Sequence, residues 1–158
     1  MTPEAVLELA RAHNMQIATA ESCTGGMIAA ALTDIAGSSD VFERGFVTYS
    51  NAAKTQMLGV APELITTHGA VSEEVAQAMA MGALAQSDAQ IAVSVTGIAG
   101  PGGSDHKPEG RVCFGIALNT ATTQTETVEF GPIGRAHVRK AAVAHALTLL
   151  AQGISQTA

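Results

Sequence analysis

A continuous apolar segment in the second half of the chain places the strongest constraint on the fold. Residues 89–97 read AQIAVSVTG, with few polar side chains. Strands of this kind lie inside sheets whose two faces are both covered, usually by helices. Hydrophobic residues make up 47% of the 158 residues but aromatic ones only 3%, so small aliphatic side chains must build the core. A chain of this length fits one domain, and helices packed closely on a sheet suit such a core.

The segments around this strand alternate between helical and strand patterns. Thr2 before Pro3 marks a helix start, and Asn51 is a second candidate N-cap. Predicted strands cover residues 15–20, 89–97, 111–120 and 124–131, with a further strand ending at Tyr49 and a polar turn at 121–123. Predicted helices cover residues 3–14, 24–37, 52–60, 72–87 and 134–152, with a short helix starting at Pro62. This order predicts an α/β fold, a three-layer α/β/α sandwich with a mixed central sheet, as a single domain over residues 1–158.

The charge and the cysteine spacing argue against several classes of protein. The formal net charge is -6 with only 8 Lys and Arg, whereas nucleic-acid surfaces need clustered basic residues. No apolar stretch approaches the roughly 20 residues that cross a bilayer, and the N-terminus lacks a signal-peptide pattern. Cys23 and Cys113 have no metal-binding spacing and read as reduced thiols. We expect a cytoplasmic protein with no metal, no nucleic-acid partner and no membrane, able to bind a small anionic ligand.

The segment IATAESCTGG sets three potential nucleophiles side by side, namely Ser22, Cys23 and Thr24. They lie between a predicted strand and a predicted helix, where free backbone amides can stabilise an oxyanion or a phosphate. A plain helix cap is an equally good interpretation of Ser22 or Thr24. Gly25 and Gly26 favour a functional turn, because a simple cap does not need such close backbone approach.

A serine nucleophile needs a base, and Lys54 is the most informative candidate. The chain contains only three lysines, and Lys54 lies near the start of a predicted helix, where the helix dipole opposes its charge. A buried lysine there would have a lowered pKa, whereas an exposed one would only be slightly unfavourable. Tyr49 lies five residues earlier and could relay a proton or stack on an aromatic ligand.

The segment TGIAGPGG follows the central strand and forms a glycine-rich loop. Ligands of open α/β sheets bind at the ends of such strands, and closely spaced glycines suit a loop whose amides face a ligand. The loop matches neither a P-loop nor the dinucleotide fingerprint. Arg135 and Arg139 lie four residues apart, on one face of the last predicted helix. Two interpretations are open for them, a clamp that binds a phosphate and ordinary surface residues.

Four segments together closely resemble the C-terminal domain of the competence- and damage-inducible CinA family. They are AESCTGG, DIAGSSDVFERGFVTYSNAAKTQMLGV, HGAVSEEVA and SVTGIAGPGG with the following KPEGRV. The resemblance covers nearly the whole chain, and stand-alone members of this family are nicotinamide mononucleotide deamidases. It implies a serine amidohydrolase of pyridine nucleotide salvage that releases nicotinate mononucleotide and ammonia without a metal or another cofactor.

The resemblance also implies roles for the candidate residues. Ser22 would be the nucleophile and Lys54 the general base, with Tyr49 assisting. The implied substrate-binding residues are Thr24, Gly25, Gly26, Thr96, Gly97, Gly100, Gly102, Arg135 and Arg139. Glu109 stands where the family more usually has an apolar residue, and nothing in the sequence explains it. Two alternatives stay open, a non-catalytic nucleotide-binding or interaction module and cysteine chemistry through Cys23, and an Ala-rich surface would also suit a homo-oligomer.

Overall fold

The structure of the chain is a computed structural model that describes residues 1–157. Its helices are α1 (Pro3–Ala12), α2 (Met27–Thr33), α3 (Asn51–Leu58), α4 (Pro62–His68), α5 (Glu73–Ala85) and α6 (Arg135–Ser155). Its strands are β1 (Ile17–Glu21), β2 (Phe42–Val47), β3 (Ile91–Gly97), β4 (Arg111–Leu118) and β5 (Ala121–Glu129). Within residues 1–157, no helix is both long enough and apolar enough to cross a bilayer.

The strands form one mixed sheet in the order β2-β1-β3-β4-β5. β1 pairs in parallel with β2 and β3, whereas β4 is antiparallel to both β3 and β5. The register places Glu21 of β1 beside Val47 of β2 and Val95 of β3. The carboxyl ends of three parallel strands therefore meet at one edge, the position where open α/β sheets bind ligands.

Helices cover both faces of this sheet. Ile17 of β1 packs into a core formed with α1, α2 and α6, whereas the next residue, Ala18, packs into a core formed with α3, α4 and α5. β3 alternates in the same way, with Ile91 on the first side and Ala92 on the second. The predicted three-layer α/β/α architecture with a mixed sheet is confirmed, and its core is largely aliphatic.

Side-chain caps begin three of the helices. Thr2 accepts a hydrogen bond from the amide of Ala5 at 3.1 Å, as predicted, and Ser72 caps α5 in the same manner. The prediction that Asn51 caps α3 is wrong. Ser50 has the extended backbone of an N-cap, and its hydroxyl accepts from the amide of Ala53 at 3.0 Å. Both residue types make good caps, and the end of β2 positions the serine for this role.

Several element boundaries differ from the predictions. The second helix begins at Met27 rather than residue 24, because Gly25 and Gly26 adopt left-handed φ values of 57° and 102°. It ends at Thr33, before a 3₁₀ turn at Ser38–Asp40. β2 ends at Val47, before Tyr49, and the turn between β4 and β5 lies at residues 119–120 instead of 121–123.

Candidate active site

Ser22 and Lys54 meet at the carboxyl edge of the sheet. Ser22 directly follows β1, and because successive strand residues point to opposite faces, it lies on the α3 side of the sheet. On α3, Lys54 and Leu58 are one helical turn apart and form the buried face. The Nζ atom of Lys54 lies 2.9 Å from the Oγ atom of Ser22. The structure therefore brings the predicted nucleophile and the predicted base within hydrogen-bonding distance.

Lys54 is buried without a carboxylate partner. The residue is 1% exposed, and Nζ also donates to the carbonyl oxygens of Thr48 at 2.9 Å and Tyr49 at 3.4 Å. No acidic side chain of residues 1–157 forms an ion pair with it. Burial disfavours the charged amine and lowers the pKa of Lys54 from its ordinary value of 10.5. The interpretation of Lys54 as an exposed surface lysine is wrong.

Glu21 is a buried residue of this site that the sequence reasoning missed. Its side chain lies on the opposite face of the sheet from Ser22 and is surrounded by hydrogen-bond donors. The carboxylate accepts from the hydroxyl of Thr24 at 2.6 Å, the amide of Ile28 at 2.9 Å and the amide of Ala29 at 3.0 Å. These two amides belong to the first turn of α2, so Glu21 caps the helix. The amides of Ile28 and Ala29 are therefore not free to bind an oxyanion or a phosphate.

Residues 22–26 form a tight turn between β1 and α2. The amide of Gly25 donates to the carbonyl of Ser22 at 3.0 Å, and the amide of Met27 donates to the carbonyl of Thr24 at 3.0 Å. Thr24 is fully buried, and its hydroxyl proton is used in the bond to Glu21. The substrate-binding role implied for Thr24 therefore cannot use that proton without breaking the cap.

Arg139 reaches the same turn from α6. Its Nε atom donates to the carbonyl oxygen of Cys23 at 3.0 Å, and Nη2 lies 3.4 Å from the carbonyl oxygen of Thr24. A Cβ atom added at Gly25 would lie 3.3 Å from Nη2, which shows how closely the guanidinium follows the turn. The structure thus places Arg139, which the resemblance implies as a phosphate ligand, on the backbone beside the nucleophile.

Arg135 links two loops at the same edge of the sheet. It donates to the hydroxyl oxygen of Tyr49 at 2.7 Å and to the carbonyl oxygen of Gly100 at 2.7 Å. Tyr49 is 60% exposed, so its ring stands at the surface. The hydroxyl of Tyr49 contacts Arg135 rather than Ser22 or Lys54.

The glycine-rich loop after β3 is shaped by Glu109. Gly100 and Gly102 have φ values of 89° and 80°, and the amide of Gly102 donates to the Glu109 carboxylate at 3.0 Å. A Cβ atom at Gly100 would collide with that carboxylate. Thr96 is buried, and its hydroxyl donates to the carbonyl of Ala70 at 2.9 Å. Glu109, unexplained by the sequence, thus holds the loop in its conformation.

Comparison with known proteins identifies the family. The sequence profile of the CinA C-terminal domain matches residues 2–154. The chain belongs to the CinA C-terminal domain family. It is 51% identical over 154 residues to the nicotinamide-nucleotide amidohydrolase PncC of Escherichia coli strain K12, covering 97% of this chain and 93% of that protein.

Longer relatives carry the same CinA domain. The chain is 54% identical over 140 residues to a CinA-like protein of Mycolicibacterium gilvum, covering 88% of this chain but 33% of that protein. It spans about a third of the length of the CinA-like proteins that it matches. Among solved structures, the competence/damage-inducible protein of Agrobacterium tumefaciens is 48% identical with a TM-score of 0.87 over 98% of both chains. A CinA superfamily protein of Escherichia coli is 35% identical with a TM-score of 0.90, over 95% of this chain and 87% of that chain.

Cys23 of this CinA domain lies beside the nucleophile but in an unreactive environment. It is buried, and burial raises the pKa of its thiol to about 11. A Cβ atom at Gly97 would lie 3.1 Å from its Sγ atom, so the cysteine packs against the end of β3. Both Cys23 and Cys113 are free thiols. Because the thiolate is the reactive form, this environment argues against cysteine chemistry.

A cleft of about 300 Å³ runs along the glycine-rich loop of the CinA domain. It is lined by residues 97–105 together with Ala70, Val71, Lys107 and Arg135. Ser22 and Lys54 are not part of this lining. The cleft therefore presents two cationic residues and does not enclose the Ser22 and Lys54 pair.

Proposed function

We propose that this chain is a nicotinamide-nucleotide amidohydrolase, which converts nicotinamide mononucleotide and water into nicotinate mononucleotide and ammonia. The observation that carries the proposal is the 2.9 Å contact between Ser22 Oγ and the buried Lys54 amine. A serine becomes an effective nucleophile when a base lies within hydrogen-bonding reach. The relative from Escherichia coli named nicotinamide-nucleotide amidohydrolase PncC supports the choice of substrate, since nearly the whole of both chains aligns.

In the first half of the reaction, neutral Lys54 accepts the hydroxyl proton of Ser22. The Oγ–carbon bond then forms at the carboxamide, the carbon–nitrogen bond breaks, and the nitrogen leaves as ammonia with the proton held by Lys54. An ordinary lysine with a pKa of 10.5 is neutral in only about one molecule in 3000 at pH 7. The burial of Lys54 raises that fraction, because it favours the neutral amine.

In the second half, water hydrolyses the ester that Ser22 has formed. Lys54 takes a proton from the attacking water, the new oxygen–carbon bond forms, and the bond from carbon to Ser22 Oγ breaks. The proton on Lys54 returns to the Ser22 oxygen. The products are the carboxylic acid of the nucleotide and the free enzyme, so one water is consumed for each ammonia released.

The nucleotide itself would lie along the carboxyl edge of the sheet. Arg135 is exposed and lines the cleft of the glycine-rich loop, so it is the better of the two predicted arginines to meet the phosphate. The exposed ring of Tyr49 stands next to Arg135 and offers a stacking surface for the pyridine ring.

Ammonia release from nicotinamide mononucleotide tests the proposal directly. The wild-type protein should release one ammonia for each nicotinate mononucleotide formed, and Ser22→Ala and Lys54→Ala should each lose activity by at least 10³-fold. Circular dichroism and urea unfolding should show that both variants fold. Full activity in either variant would contradict the mechanism. Binding of the nucleotide by the wild-type protein without turnover would favour the alternative of a non-catalytic binding module.

A further inference from the structure

Two charged side chains hold the turn that carries Ser22, and the mechanism above uses neither of them. Glu21 accepts three hydrogen bonds from one side of the turn. Arg139, on α6, donates to two carbonyl oxygens of the same turn. Neither forms an ion pair with any residue of 1–157, so both charges are satisfied by the turn and by the start of α2.

Glu21 fixes the distance between the end of β1 and the start of α2. Its backbone pairs with β2 and β3, while its carboxylate accepts from Thr24 within the turn and from two amides of α2. Bonds to an ionised acceptor are about twice as strong as neutral ones. The residue next to Ser22 is therefore fastened at both its backbone and its side chain, which restricts the backbone of the nucleophile.

Arg139 fixes the orientation of the peptide that follows Cys23. The guanidinium holds the carbonyl oxygen of Cys23, and in a trans peptide the next N–H group points the opposite way. That N–H group belongs to Thr24, and it has no acceptor among residues 1–157. The contact with Arg139 therefore fixes the orientation of the buried peptide between Cys23 and Thr24, next to the nucleophile.

We propose that Glu21 and Arg139 are positioning residues, which hold the turn so that Ser22 faces Lys54. This assigns Arg139 to the backbone of the site and leaves the phosphate of the substrate to other groups. The inference rests on the proposed function for the identity of the substrate. The positioning of Ser22 itself can be measured without that substrate.

Phenylmethanesulfonyl fluoride provides the substrate-free measurement, since it sulfonylates activated serines and carries no phosphate. The second-order rate constant for modification of Ser22, followed by intact mass, should fall at least tenfold in Glu21→Gln and in Arg139→Ala. In both variants kcat for nicotinamide mononucleotide should also fall at least tenfold, with KM within threefold of the wild-type value. A glutamine amide cannot accept through its nitrogen, so Glu21→Gln loses at least one of the three bonds.

Matched variants control for general loss of stability. Glu73 accepts from two threonine hydroxyls, at 2.8 and 2.7 Å, away from the turn. Arg11 donates to the carbonyl of Gly37 at 2.9 Å, a contact of the same kind as that of Arg139. Glu73→Gln and Arg11→Ala should leave both the sulfonylation rate and kcat unchanged. If Arg139→Ala or Glu21→Gln fails to fold, Arg139→Lys and Glu21→Asp replace them, with a smaller loss expected in the same two quantities.

The possible results separate the two proposals. A raised KM for Arg139→Ala with an unchanged sulfonylation rate would overturn the positioning role and make Arg139 a phosphate ligand. Wild-type rates in Glu21→Gln would overturn the role of Glu21. If wild-type Ser22 reacts with the sulfonyl fluoride but the protein does not hydrolyse nicotinamide mononucleotide, the proposed substrate fails. The positioning role is then decided by the sulfonylation rates of the variants. If the wild-type serine does not react, the split between kcat and KM decides the question.

Discussion

Replacing Lys54 by methionine tests whether the buried amine is neutral in the folded protein. Methionine keeps an unbranched side chain of similar length, so it fills the space of the lysine stem without an ionisable group. The variant loses the hydrogen bonds to Ser22 and Thr48, which are 2.9 Å long in the wild-type protein. Each lost bond costs about 0.5–1.5 kcal/mol. That cost changes little with pH. The pH dependence of the difference in the free energy of unfolding therefore reports the ionisation of the Lys54 amine.

The sign and the size of this pH dependence follow from proton binding. Burial lowers the pKa of Lys54 in the folded protein, whereas the unfolded lysine keeps the ordinary value of 10.5. Between these two values the unfolded chain binds one proton more than the folded chain, so wild-type stability rises with pH. One proton corresponds to about 1.4 kcal/mol per pH unit. The free energy of unfolding of the wild-type protein, minus that of Lys54→Met, should rise at this rate within the interval and be constant below it.

Urea unfolding of both proteins at half-unit steps from about pH 6 to about pH 10 measures this difference. Cys23 is present in both proteins, and its pKa of about 11 keeps the folded thiol largely protonated over this pH range, so its contribution to the difference is small. Lys140→Met is the matched control, since Lys140 is exposed on α6, and its difference from wild type should not depend on pH. On the same pH axis, kcat/KM of the wild-type enzyme should rise tenfold per unit up to the pH at which the stability slope begins. A stability difference independent of pH throughout would refute a buried, neutral Lys54.

Two further predictions concern Cys23 and the glycine-rich loop. Cys23→Ser should keep activity within threefold of wild type in the ammonia assay, because the raised pKa of the thiol leaves almost no thiolate at neutral pH. A 100-fold loss of activity would instead support Cys23 as the nucleophile. Alanine at Gly100 would suffer left-handed backbone strain of roughly 1–2 kcal/mol, and its Cβ would also displace Glu109. Gly100→Ala should therefore lower the free energy of unfolding by more than the strain alone, and it should raise KM. Gly102→Ala has similar strain but open space around it, so equal losses in the two variants would contradict the role given to Glu109.

Most elements of the fold could be predicted from local pattern, because the periodicity of apolar residues records which face is buried. The strand at residues 89–97 and the layers that cover it are examples. The boundaries were less predictable. Ser50 and Asn51 are adjacent and both suit an N-cap, and only the path of the chain after β2 selects the serine. The left-handed glycines likewise move the start of α2 from the predicted residue 24 to Met27, and helix propensity does not reveal this shift.

The candidate site was predictable in its residue types but not in its contacts. Ser22 and Lys54 could be selected from the nucleophile cluster, the scarcity of lysine and the family resemblance. Glu21 carried one weak signal, an acid directly between a buried strand and a glycine turn. No local signal could show that its carboxylate would occupy the first amides of α2, because those donors become available only when the helix start is placed. Arg139 illustrates the same limit, since its partners lie more than 100 residues away in the chain.

The sequence by itself determined the layered α/β architecture, the place of the glycine-rich turns and the residues able to do nucleophilic chemistry. These properties depend on local periodicity, on backbone freedom and on the functional groups themselves. Only the tertiary structure decided that Lys54 is buried against Ser22 and that the turn between them is held by Glu21 and Arg139. A pKa depends on the surroundings of a group, and a distance depends on how separate elements pack. Both quantities therefore exist only after β1, α3 and α6 have come together.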